Sequence, residues 1–166
     1  LRVTIQSEGR RQTGYSGDCL PPSWFDKSPE KDFAAQIADM LRVIAFAQQV
    51  YGEEFHQTTP FFPGWLNAHR RIQQRCVEWK LPPLLASFGA SLLERAIIDA
   101  ACRLHQLSLA VAIRNNVLGI EAGMVHAELR GLQPRDWLPT RPTTEISVRQ
   151  TVGLGDPLKL SDIPPA

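Results

Sequence analysis

The chain has 166 residues, is 43% apolar, and carries eighteen basic against seventeen acidic side chains for a net charge of +1. That describes one full domain burying roughly two thirds of its unfolded surface, and the balanced charge supplies no field to steer nucleic acid or anionic lipid. No stretch has the length to span a bilayer and the amino end is not a signal peptide, so a cytoplasmic protein with neither nucleic-acid nor membrane partner is expected.

Val3 and Ile5 alternate with Arg2, Thr4 and Gln6, the pattern of a half-buried strand over residues 1–6. Ser7, Glu8 and Gly9 offer a turn into a second strand, Arg11 to Ser16, in which Gly14 and Gly17 suit bends or close backbone approach. Two strands alone make a marginal hairpin that needs a third strand or a helical cover. Leu1 opens directly into the strand without a Met, and the expectation is a chain cut inside a larger fold.

The segment GDCLPPSWFDKSPE that follows is stiffened by Pro21 and Pro22 and carries Leu20, Trp24 and Phe25. It reads either as a loop over the domain's own core or as an apolar lid over a site. Ser28 and Pro29 have the form of an N-cap and first-turn pair. Phe33, Ile37, Met40, Leu41, Ile44 and Ala47 keep helical spacing to Tyr51, where Gly52 marks a stop. A Thr-, Pro- and aromatic-rich loop leads to a helix near Pro63 with Leu66, His69, Ile72, Cys76 and Trp79 on one stripe. His69 is there either a packing residue or a ligand, and the cluster of His69, Arg70, Arg71 and Arg75 is a solvated face or an anion contact. Pro82 and Pro83 end that helix.

Gly89 to Leu107 is the strongest helical stretch. Leu93, Ile97, Ala100 and Leu104 share one face, and Ala96, Ala100 and Ala101 let a neighbour approach closely. Ser91 and Glu94 have capping-box spacing, which would start this helix at Ser91 and leave Gly89 outside. Beyond His105, a short helix is predicted over Leu109 to Ile113 and one or two turns over Ala122 to Leu129. Residues 131–143 read as a connection, and Ile146 and Val148 alternate as in a strand.

Cys19, Cys76 and Cys102 are odd in number and widely spaced, which indicates free thiols in a reducing compartment. There is no Gly-rich phosphate loop, no histidine pair at metal-binding helical spacing, no GxSxG elbow and no zinc-type cysteine pair. From its residues alone the chain is an α+β module, a small antiparallel hairpin followed by a helical layer, without a catalytic centre or metal ligands.

The ordered set GYSGDCLPPSWFDK, SLLERAIIDAACR, NNVLGI and SVRQTVGLGDPL resembles the amino-terminal region of the enolase superfamily, in its mandelate racemase and muconate-lactonising-enzyme branch. The resemblance implies a capping domain over residues 1–130 lacking its first strand, a linker over 131–143, and over 144–166 the first strand of a truncated TIM-type barrel. It also implies a lid running from Tyr15 through Trp24, with Tyr15, Leu20 and Trp24 facing substrate and Arg149 or Gln150 approaching from the first barrel strand. Related chains read VRHT where this one reads Val148-Arg149-Gln150-Thr151. The implied function is substrate capping and specificity for α-proton abstraction from a carboxylate or sugar acid, as a dehydratase, racemase or cycloisomerase. Mg²⁺ and the bases then reside on later barrel strands, so that no cofactor is bound within this chain. The implied partners are that barrel domain and the small acid, with a homo-oligomer possible. The alternative reading is a stand-alone, non-catalytic structural or interaction module.

Overall fold

A computed structural model describes residues 1–56 and 59–149, together with Lys159 and Ser161. Strand β1, Arg2–Ser7, pairs antiparallel with β2, Arg10–Tyr15, in a register running from Arg2↔Tyr15 to Ser7↔Arg10. Glu8 and Gly9 connect them with φ of 52° and 76°, the two left-handed residues of a type I′ turn, whose twist matches the strands. Val3 and Ile5 are half-buried while Arg2 and Thr4 are exposed, as their alternation requires.

The helical cover this ribbon needs is supplied from far along the chain. Beyond a single turn, α1 (Pro22–Phe25), lie three long helices: α2 (Phe33–Glu54), α3 (Phe61–Glu78) and α4 (Pro83–His105). Helix α4 packs on both strands and on α2 and α3. Buried Met40 and Val43 of α2, Ile72 and Cys76 of α3, and Leu85 and Leu93 of α4 share one core. Gly14 of β2 rests on the α4 main chain at Ala96 and Ala100. The alanine face therefore accepts a close neighbour, and Gly14 is the residue that approaches it. Gly17 has nothing within 4 Å of where a Cβ would stand.

Three expected helix boundaries are corrected. Asp32, not Ser28, caps α2: its carboxylate accepts the Ala35 N–H at 2.8 Å, and Ser28 and Pro29 remain in the preceding loop. Gly52 does not stop α2, because the ladder continues to the Phe55 N–H donating to the Tyr51 carbonyl. A glycine inside a helix costs about 1 kcal/mol, less than the burial of Val50 and Tyr51 beside it returns. Ser91 caps nothing, since α4 starts eight residues earlier with Pro83 in its first turn; the Ser91 hydroxyl instead donates to the Phe88 carbonyl. Gly89 therefore lies inside α4, where a Cβ would stand 2.5 Å from Val43 Cγ1, so its bareness lets α2 in close.

Gln106, left-handed at φ 55°, ends α4. Helix α5, Leu109–Arg114, starts at Ser108, and short 3₁₀ turns follow at Ala122–Met124 and Ala127–Leu129. The expected connection over 131–143 holds a helical turn, α6, Pro134–Trp137, with Pro134 buried and a reciprocal Gln133–Asp136 capping box. Arg114 binds it to α5 by donating to the Leu138 and Pro139 carbonyls at 3.0 and 2.9 Å.

Residues 145–149 form no strand, and Ile146 and Val148 are 84% and 90% exposed. Alternation prepares a face for burial, but a strand also needs a neighbour for its backbone groups, and none of the described residues provides one. The rest of that expected strand, from Gln150, lies outside the described residues. Among the described residues no helix is long and apolar enough to cross a membrane.

Candidate functional site

The exit of the hairpin is tied to α4 by its backbone. The Tyr15 N–H donates to Asp99 Oδ2 at 2.9 Å and the Ser16 hydroxyl to the Leu92 carbonyl at 2.6 Å. Two residues on, Arg95 donates to Asp18 at 2.8 Å, and the other Asp18 oxygen accepts the Cys19 N–H. Leu20 then turns partly into the core, Pro22 is buried, and the Phe25 ring meets Phe88 with centroids 4.7 Å apart.

The far end of the loop is anchored by a charge. Asp26 is only 6% exposed and is the one charged residue in the buried set among the described residues. Its carboxylate accepts the Ser28 N–H and the Lys31 ammonium at 2.8 Å, and Lys31 also donates to Asp39 at 2.8 Å. Gln36 holds the Asp26 carbonyl from α2. The Lys31 hydrogen bond, with the Ser28 N–H, keeps the Asp26 carboxyl below its usual range, while Asp26 and Asp39 push the Lys31 ammonium up.

Between these anchors stands Trp24, 76% exposed although its neighbour Phe25 is packed. One helical turn separates the two fates, since adjacent residues leave it about 100° apart. Both readings of the segment thus have their residues: Leu20, Pro22 and Phe25 cover the core, and Trp24 faces outward. Tyr15 is also exposed, its ring 5.9 Å from the Arg103 guanidinium. Arg149 is exposed on the carboxy-terminal coil, apart in sequence from that loop, and Gln150 lies outside the described residues.

Asp99 joins this exit to a groove of about 710 Å³ between α4 and α5, with Ile98, Cys102, Leu109 and Ile113 among its apolar lining and Arg95 and Arg103 on its rim. The Tyr15 N–H and the Arg103 guanidinium hold the Asp99 carboxyl below its usual range. Each arginine keeps donors beyond its one carboxylate bond, so the rim can take a further acceptor. The four-residue spacing of Arg95, Asp99 and Arg103 was visible as a helix row, but only the fold places the strand end and α5 beside it. Burial pushes the Cys102 thiol up, away from thiolate reactivity.

His69 stacks on Trp65 at 5.6 Å, and burial pushes its imidazole pKa down, the behaviour of a packing histidine. Near it the Tyr51 hydroxyl is buried without a hydrogen-bond partner among the described residues, and burial pushes the Glu94 carboxyl up against the opposing pull of the Trp65 indole N–H and the Arg95 charge. Among the described residues, no three His, Cys, Asp or Glu side chains group as they would around a metal ion. No protein-family model, no curated protein and no solved structure matches the chain.

Proposed function

We propose that the chain is the substrate-capping and specificity region of a Mg²⁺-dependent enzyme that abstracts the α-proton of a carboxylate or sugar acid. The observation that carries this reading is Trp24, a large exposed aromatic on a loop anchored at one end through Asp99, Leu92 and Arg95 and at the other through the Asp26–Lys31 pair. Exposing an indole has no stabilising value for the domain that carries it, whereas bracing its loop prepares it to meet something else at low entropic cost.

In this reading Trp24 and Tyr15 contact the substrate or the closing surface and Leu20 fixes the loop between them. Arg149 and Gln150 enter from the barrel side. The α-proton is weakly acidic, so its removal requires a positioned base and stabilisation of the developing oxyanion. No donor set for Mg²⁺ is assigned to this chain; when bound, the ion would supply that charge stabilisation from the barrel. The cap's own work is to exclude water and to select the acid's side chain.

The non-catalytic interaction module remains as a second reading because the α4–α5 groove presents an apolar floor between charged rims. Incubation with a panel of α-hydroxy and sugar acids in deuterated water separates the two. The barrel-containing protein exchanges the α-proton when Mg²⁺ is present, and this chain alone does not. Absence of exchange with every acid in the barrel-containing protein overturns the capping reading, as does rapid Mg²⁺-dependent exchange by the chain alone.

A further inference from the structure

Besides the α4–α5 groove, a polar cavity of about 330 Å³ lies between the end of α5 and α6, lined by Arg114, Asn115, Asn116, Gln133 and Arg135. The main chain sets how its amides are turned. The Ile120 N–H needs an oxygen, so Asn116 presents Oδ1 to it at 2.6 Å. Asn116 Nδ2 is then left to donate to the Ile120 carbonyl at 3.2 Å and to Gln133 at 2.7 Å. Gln133 has to answer with Oε1, which leaves its NH2 group without an acceptor among the described residues.

Arg114 is fixed in the same way. One amino group is spent on the Leu138 and Pro139 carbonyls, which holds the half-buried guanidinium in place. Its Nε and other amino group stay unengaged among the described residues. Arg135, with its side chain 71% exposed, has only a 4.0 Å approach to Asp136, whose other oxygen accepts the Gln133 N–H. The oxygens of Asn116 and Gln133 are thus turned to partners inside the fold, and what the lining has left to give is donors: two guanidiniums, the Gln133 NH2 and the exposed Asn115 amide. Among the described residues no carboxylate lines the cavity. A cleft with one sign of charge and surplus donors suits an oxyanion. A carboxylate offers two oxygens and one charge. A phosphate monoester offers three terminal oxygens and a charge of about −1.5 to −2 at pH 7, which two arginines match. The volume is at the lower end of the roughly 300–1,000 Å³ of small-molecule sites, enough to hold more than the phosphate itself. We propose that the α5–α6 cavity binds the phosphate monoester of a small molecule, with Arg114, Arg135, Gln133 and Asn115 donating to its terminal oxygens.

The proposal is independent of the capping reading, whose substrate meets the Tyr15–Trp24 loop. Titration of this chain with glycerol phosphate, followed through side-chain N–H resonances by NMR, should give saturable shifts at Arg114, Gln133 and Arg135. Butyrate should bind at least tenfold more weakly, and inorganic phosphate more weakly than the ester. Arg135→Gln should weaken binding about tenfold or more through loss of a charge-assisted hydrogen bond, without disturbing the fold, because that side chain is mostly in solvent. Asn115→Asp, also at an exposed position, adds a charge of the wrong sign and should weaken binding as well. Arg70→Gln, exposed on α3, should leave binding unchanged. Absence of saturable shifts at the three named side chains overturns the proposal, as does butyrate or inorganic phosphate binding as tightly as the ester. Equal weakening by Arg70→Gln would reduce the effect to general surface charge, and binding only to vesicles containing phosphatidate would assign the arginines to a membrane surface; either result also overturns it.

Discussion

Replacing Gly14 by alanine should detach the hairpin from the helical layer. A methyl group there would stand 2.8 Å from Ala100 Cα, and nearer still to the Ala96 carbonyl oxygen and the Ala100 amide nitrogen. Carbon atoms prefer about 3.5–4.0 Å, and the obstructing atoms are α4 main chain, with no rotamer through which to escape. The strand must lift instead. Overpacking of this kind costs about 1–3 kcal/mol. Lifting also loosens the Tyr15–Asp99 and Ser16–Leu92 hydrogen bonds, each worth about 1 kcal/mol at most where it is partly solvated. The expected loss is about 3–4 kcal/mol, a large share of the roughly 5–15 kcal/mol that holds a domain folded. Urea unfolding measures it, with Gly17→Ala as the control: nothing lies near that position, so its change should remain within about 0.5 kcal/mol. Gly14→Ala at wild-type stability, with unchanged amide protection in β1 and β2, would refute the docking described for the hairpin.

Lys31→Met should cost about 2–3 kcal/mol in urea, because it leaves the buried Asp26 carboxylate without its ammonium partner. The depressed Asp26 carboxyl contributes stability that is complete above its ordinary value of 3.8 and fades as pH falls through the folded value. The raised Lys31 ammonium contributes stability that is complete below 10.5 and fades as pH climbs through its folded value. Urea midpoints across pH should therefore show an alkaline loss in wild type attributable to Lys31 that is missing in Lys31→Met; identical alkaline limbs contradict it. Glu94→Gln should raise stability at neutral pH, because burial pushes that carboxyl up and penalises its charge. Wild type should gain stability as pH falls through the raised value, and the variant should lack that gain in the same measurement.

The hairpin and the long helices were legible because their signals are local. Alternation at Val3 and Ile5, the Glu8–Gly9 turn, and apolar spacing along α2, α3 and α4 each follow from neighbouring residues. Helix starts were less so, since Ser28, Asp32 and Ser91 all carry a capping oxygen, and only the path of the backbone decides which one meets a free N–H. Gln133-Pro134-Arg135-Asp136 did contain a first-turn proline and a capping-box acid, a signal outweighed by the surrounding prolines. At the candidate site, sequence picked out Leu20, Trp24 and Phe25 as apolar mass that had to rest somewhere, but not which of them would stay outside. It did not single out Asp99. That residue is bonded to Tyr15, 84 positions away, and such a pairing leaves no trace in local pattern.

Trp24→Ala in the proposed barrel-containing protein tests the capping reading most directly. The side chain is 76% exposed, so its removal should change denaturant stability by no more than about 0.5 kcal/mol, well short of the roughly 3–5 kcal/mol lost with a buried large aromatic. The measurement is kcat/KM for Mg²⁺-dependent exchange of the α-proton over several carboxylate and sugar acids. A reordered preference among the acids at near-native stability is the result predicted, because a lid residue acts through differential binding. Unchanged relative preferences, with any loss of activity explained by unfolding, would contradict it.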